Sequence, residues 1–129
     1  MKARVLLLLV GCMLLLWGCV PQKPLPAYQT VDEDGWDRSR TLVFPAREDH
    51  TPWRTLRVRT SAAYPFTRLA LELRHDTLCD TVFVDIPPAV GTTLTQNVAP
   101  LPRPIDKAVK VRYVMGTEIL PGVCEVGLE

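Results

Sequence analysis

Thr67-Arg68-Leu69-Ala70-Leu71-Glu72-Leu73-Arg74, followed a turn later by Thr81-Val82-Phe83-Val84-Asp85-Ile86, is the stretch that decides the fold. Leu69, Leu71 and Leu73 recur at every second residue, and Arg68, Glu72 and Arg74 share the alternate positions with Ala70. Leucine suits helices as well as strands. Period two with charge on the other face selects a half-buried strand. The second run is rich in β-branched and aromatic residues, with Val82, Val84 and Ile86 on one face, and Pro87-Pro88 stops it. His75 to Asp80 reads as the turn between them, so the two runs predict a β-hairpin.

The same period extends outward. Thr41 to Phe44 is a short β-prone run ended by Pro45, and Arg47 to Pro52 is a polar turn. Trp53 to Thr60 alternates, with Leu56 and Val58 opposite Arg57 and Arg59. Lys107 to Met115 sets Val109, Val111 and Tyr113 against Lys110 and Arg112, and Val123 to Leu128 makes the last strand. Ala89 to Asp106, punctuated by Pro100, Pro102 and Pro104, reads as a long connection. No segment sustains a 3.6-residue period. The expectation is an all-β fold: one antiparallel β-sandwich of short strands over residues 30–129.

Ahead of that domain lies a different kind of sequence. Lys2 and Arg4 form a positive head, Val5 to Trp17 is apolar apart from Gly11, and Gly18-Cys19 precedes a polar, proline-rich tract. These are the three regions of a secretory signal, and the run is shorter than the ~20 residues a comfortable span needs. A cysteine at the cleavage point looks like a bacterial lipobox. Cys12, after Leu9-Val10-Gly11, has the better local letters. Cleavage there would leave an h-region of only Val5 to Val10 and an apolar Met13–Trp17 on the mature chain. Cys19 is therefore the expected lipidation site, with residues 1–18 as signal peptide and 19–29, carrying Pro21, Pro24 and Pro26, as tether. The expected membrane partner is lipid, held through acylated Cys19. A palmitate label should be lost in Cys19→Ser and kept in Cys12→Ser.

Of 129 residues, 18 precede Cys19 and 111 remain, enough for one core. Losing Lys2 and Arg4 takes the 15 basic residues to 13, against 14 acidic. That balance argues against nucleic acid, whose phosphates demand an excess of Lys and Arg. Outside the cytoplasm disulfides persist, so Cys79 and Cys124 are a candidate bridge; the alternative is two buried thiols.

Residues for catalysis are sparse. His50 and His75 each fall in a polar turn, and Ser39 and Ser61 sit in no nucleophile-elbow pattern. His75 next to Asp76 could form an oriented base, but a solvated hairpin turn explains it more simply; Cys79 with His75 could form a nucleophile pair, but in an oxidising compartment a disulfide or an inert thiol is the better reading of Cys79. There is no metal-ligand spacing, and Asp32, Glu33, Asp34 and Asp37 read as a solvated acidic run. The reading is a non-enzyme without metal or cofactor. Trp36, Tyr64 and Phe66 are the candidate partner-contact side chains, each with a packing alternative, and the Ala89–Asp106 connection is a further candidate contact element. Arg54, Arg57 and Arg59 read as the wet face of a strand. A second reading makes the domain a small-ligand or glycan binder, with Trp36 and Trp53 as stacking surfaces.

Particular residues carry a resemblance. After the lipobox Cys come Tyr28-Gln29-Thr30-Val31, Gly35-Trp36 and Phe44 before a turn. Then follow Tyr64-Pro65-Phe66-x-x-Leu69-x-Leu71, Asp80-Thr81-Val82, and a closing Leu120-Pro121-Gly122-Val123 with Glu125-Val126-Gly127-Leu128. In this order they resemble the gliding-motility lipoprotein GldH family of Bacteroidetes over most of residues 19–129. The chain departs from that pattern between Pro88 and Lys107, where it is shorter. The resemblance implies an all-β envelope lipoprotein without enzyme activity, associated with gliding or type IX secretion components. Val20-Pro21-Gln22-Lys23 lacks the acidic residues that follow the Cys in surface-exported lipoproteins of these bacteria. The expected location is the periplasmic face of the outer membrane.

Overall fold

A computed structural model describes residues 26–32, 34–88, 91 and 94–129. The expected signal peptide, Cys12 and the expected lipidation site Cys19 lie outside the described residues. Ten strands follow in order: β1 (Ala27–Thr30), β2 (Trp36–Asp37), β3 (Leu42–Phe44), β4 (Trp53–Thr60), β5 (Arg68–His75), β6 (Leu78–Asp85), β7 (Thr95–Ile105), β8 (Val109–Tyr113), β9 (Ile119–Leu120) and β10 (Val123–Leu128). They build two four-stranded sheets, β1-β10-β4-β7 and β3-β8-β5-β6, and a two-stranded ribbon, β2-β9. Every pairing is antiparallel. The alternation read from the sequence becomes the sandwich core. Leu69, Leu71 and Leu73 from one sheet meet Leu56, Val58, Val126 and Leu128 from the other in one buried cluster.

The β5–β6 hairpin is present, paired from Arg68↔Asp85 to His75↔Leu78. Its turn is only Asp76-Thr77, tighter than the His75–Asp80 turn read from the sequence, and Asp76 takes φ 56° there. A positive φ at the first position of a two-residue turn matches the twist of the strands, and Asp tolerates it.

Four strands depart from the sequence expectation. β7 occupies most of the stretch read as a connection. Its prolines survive because β7 is an edge strand: Pro100, Pro102 and Pro104 all point to solvent, and the pairing with β4 jumps from Thr55↔Pro100 to Trp53↔Ile105. β1 begins within the expected tether and pairs with β10. Its Tyr28 ring lies over Gly127, where any Cβ would collide with it, so an aromatic covers the strand glycine. β2 and β9 are two residues each, too short for periodicity to reveal.

The connections segregate to two ends. Ala27, the 45–52 loop, the Asp76-Thr77 turn and Glu129 lie at one end, the entry end, where the described chain begins β1. Val31-Asp32, Asp34-Gly35, the 61–67, 86–88 and 114–122 segments and Leu94 lie at the opposite end. This follows from the register, in which Ala27, Leu128, Leu56 and Ala99 align at one extreme and Thr60 with Thr95 at the other.

Tyr64 anchors the far end. It is 8% exposed and its hydroxyl donates to the Arg68 carbonyl at 2.6 Å. Burial pushes its pKa up to about 12. A raised phenol pKa adds stability that is whole below pH 10 and is lost as the pH climbs toward 12, because the unfolded chain ionises first. Tyr64→Phe should remove much of the alkaline fall in Tm between pH 10 and 12, at a cost of about 1 kcal/mol at pH 7 for the lost hydrogen bond.

Candidate functional site

Placed in the fold, the candidate side chains separate. Trp36 is fully buried, its Nε1 donating to the Arg40 carbonyl at 2.9 Å and its ring edge-on to Tyr113 at 5.1 Å. It is core, not contact surface, because β2 folds inward to pair with β9. Tyr64 is buried as well. Only Phe66, 39% exposed and edge-on to Tyr64 at 5.9 Å, offers itself to a partner. Trp53 is buried with Arg47 stacked over it at 4.0 Å. With Trp36 and Trp53 both inside, the aromatic stacking platform of the glycan-binding reading does not form.

The Cys79–Cys124 bridge is not formed. Cys79 is an exposed free thiol on the outer face of β6, whereas Cys124 lies on β10 in the other sheet. His75 is not in a solvated turn. It ends β5 facing inward, 6% exposed, with Nε2 2.8 Å from Asp80 Oδ2. The strand period explains why Asp80, not Asp76 or Cys79, is its neighbour. Asp80 faces inward from β6, Asp76 sits in the turn, and Cys79 faces outward opposite Arg74. Arg103 of β7 reaches the same carboxylate oxygen at 3.1 Å. The cluster ties β5, β6 and β7 together where the sheets meet, with His75 buried, the Asp80 side chain largely covered and Arg103 half exposed. In the acidic run, Asp37 accepts from the Ser39 amide and hydroxyl at 2.9 and 2.7 Å. Among the described residues no three His, Cys, Asp or Glu side chains converge on a common metal position.

The side chains that do converge are on the outer face of the β3-β8-β5-β6 sheet. The register lays them out in cross-strand rows. Val114 continues β8 and bonds the Ala70 carbonyl, and Ala70 pairs with Phe83, so Val114, Ala70 and Phe83 form one row. The next holds Thr41, Arg112, Glu72 and Thr81, with Thr41 continuing β3, and the third holds Val43, Lys110, Arg74 and Cys79. The first row is apolar, with Val114 48% and Phe83 59% exposed; Arg68 leans over the Phe83 ring at 5.5 Å. The other two are basic around a single carboxylate. Arg112 grips Glu72 with two bonds, 3.0 and 3.1 Å, and Arg74 Nε adds a third at 2.6 Å. Thr41, Arg74, Lys110 and Arg112 line a hollow of about 230 Å³.

Hydrogen bonds from Arg112, then Arg74, hold the Glu72 carboxyl below the usual range against the opposing effect of burial. A lowered carboxylate pKa adds stability that is present above the unfolded value near 4.5 and is lost as the pH falls through the lower folded value. Glu72→Gln should cost about 1 kcal/mol at pH 7, and that difference from the native chain should vanish well below pH 4.5 in acid titrations of Tm.

This basic face was half legible in the sequence. Lys110 and Arg112 appear there as the outer face of one strand, and Glu72 and Arg74 as that of another. What was missing is that β8 lies beside β5, which no local pattern encodes. Fold and site together define an antiparallel β-sandwich with one open, partly basic sheet face. Compared with protein-family models, with curated proteins and with solved structures, the chain matches none.

Proposed function

We propose that this protein is a non-enzymatic lipoprotein of the outer membrane, anchored through Cys19 on the periplasmic face, whose β-sandwich binds another protein of the cell envelope. The gliding-motility lipoproteins that its sequence resembles supply the class of partner: components of the gliding or type IX secretion apparatus. The observation that carries the reading is the polarity of the sandwich. The chain enters β1 at Ala27, eight residues after Cys19, a reach of at most about 28 Å. At the opposite end Phe66, Leu94, Val114 and Ile119 are exposed apolar side chains, while Tyr28 and Leu78 are exposed nearer the entry end. A domain held at its entry end leaves the far-end group of four free to meet a partner away from its own membrane. Confinement to a surface raises the effective concentration of that contact.

The test is crosslinking in intact cells followed by recovery of the lipoprotein. A specific envelope protein should be captured by the native chain and by Cys12→Ser. Capture should fall several-fold with Phe66→Ser combined with Ile119→Ser, two exposed positions whose loss leaves the core filled. Equal recovery from native and double-variant cells would overturn the role of the far end. Release of the Cys19→Ser chain from membranes tests the anchor separately.

A further inference from the structure

The hollow on the outer sheet face is not needed by a partner that docks on the far end, and its electrostatics call for an occupant of their own. We propose that Thr41, Arg74, Lys110 and Arg112 form a binding site for a phosphomonoester group. Lys110 and Arg74 are direct cross-strand partners, with Val43 and Cys79 flanking them in the row. Like charges placed directly opposite destabilise a sheet. Glu72, one row away, answers Arg112 and Arg74, and Lys110 has no ion pair among the described residues. Three cations around one carboxylate leave an excess of two positive charges, which a phosphomonoester, close to doubly charged at neutral pH, would neutralise.

Geometry agrees with charge. Glu72 is 12% exposed at its side chain and holds Arg112 by a two-pronged bond and Arg74 through Nε. Both guanidinium groups are thereby oriented before any ligand arrives, which lowers the ordering cost of binding. Both arginines, Lys110 and Thr41 line the same hollow. Its volume, about 230 Å³, accommodates a phosphate together with part of the group that carries it. A neighbouring hollow on the far side of Arg112 is larger, about 440 Å³. Its lining pairs Asp37 and Glu118 with Arg38 and Arg112, so it neutralises itself.

Two sources offer this chemistry, a lipid headgroup and a soluble phosphate. The Lys110–Arg74 row lies one residue pair from Val109 and His75, close to the entry end of the sheet. Within the anchored reading above, that position brings headgroups of the same leaflet into reach. The site itself stands without that reading.

The experiment uses the full chain in detergent micelles, with amide shifts of residues 41, 74, 110 and 112 followed by NMR. Inorganic phosphate is titrated in one arm, and in the other the phosphatidic acid content of phosphatidylcholine micelles is raised. Succinate at matched ionic strength is the control. Saturable shifts at these residues with either phosphate probe, and not with succinate, are the expected result. Arg74→Gln with Lys110→Gln, both exposed, should weaken binding about tenfold or more while leaving Tm nearly unchanged. Phosphatidic acid outcompeting free phosphate would identify a headgroup site, and the reverse a soluble ligand. Absence of saturable shifts with both phosphates, equal response to succinate, or full affinity in the double variant would each overturn the proposal. None of these outcomes depends on Cys19 or on partner capture, so the site and the anchored partner-binding reading fail or stand separately.

Discussion

Trp36→Ala should lower stability by about 4 kcal/mol, a drop of roughly 20 °C in Tm, because it empties the largest fully buried side chain of the sandwich. The indole closes the far end. Its ring meets the Tyr113 edge, and Tyr113 in turn donates from its hydroxyl to the Glu118 carbonyl at 2.8 Å, so the tryptophan and tyrosine together fasten the β2–β9 ribbon to β8. Alanine loses the transfer energy, leaves a cavity and strands the Arg40 carbonyl that Nε1 satisfies. Trp36→Phe should fall between, keeping most of the volume without the N–H donor. The contrast is Ile119→Ser, on the same ribbon but 57% exposed, which should change Tm little. Thermal unfolding followed by circular dichroism separates these. A Trp36→Ala chain as stable as the native one would contradict the placement of the indole in the core.

Gly122→Ala should cost about 3 kcal/mol for the addition of one methyl group. Gly122 sits at φ 85°, where a side chain is strained, in the turn between β9 and β10. A Cβ there would also overlap the backbone nitrogen and Cα of Tyr64 and the carbonyl carbon of Ala63. These are backbone atoms of the 61–67 turn, itself held by the Ser61 amide donating to the Gly122 carbonyl at 2.8 Å, so neither side can yield cheaply. Gly116→Ala is the matched control. No atom lies within 4 Å of its Cβ position and its φ is not positive, so the substitution should be neutral or slightly stabilising. Equilibrium urea unfolding of the two variants, compared at equal m, would show the difference directly.

These two sites show how the chain divides its information. Five strands were legible to within two residues at each end: in three of them the apolar period is two and charges fill the other phase, whereas Thr41–Phe44 and Val123–Leu128 are short apolar runs beside turn residues. Trp53–Thr60 and Val123–Leu128 match β4 and β10 along their whole length, and Thr67–Arg74 and Lys107–Met115 contain most of β5 and β8. The strands that escaped notice lack that signal for separate reasons. β2 and β9 are two residues long. β7 carries a proline at every second position from Pro100 to Pro104, a pattern that reads as a connection unless the strand is known to lie on an edge. β1 follows directly on Pro26 and shows only its half-buried Ala27 and Gln29 against Tyr28 and Thr30.

The sequence by itself determined the all-β class, the β5–β6 hairpin and the faces of its long strands, since alternation along a strand is local and survives any arrangement of neighbours. Beyond that hairpin, tertiary structure alone decided which strands lie side by side. That choice buried Trp36 and left Phe66 outside. It also brought Arg103 to Asp80, kept Cys79 and Cys124 in opposite sheets, and set Lys110 and Arg112 against Glu72 and Arg74. Side-chain neighbours across a sheet are separated by tens of residues of chain, and their pairing is selected by the packing of the whole core, so no stretch of residues encodes it alone.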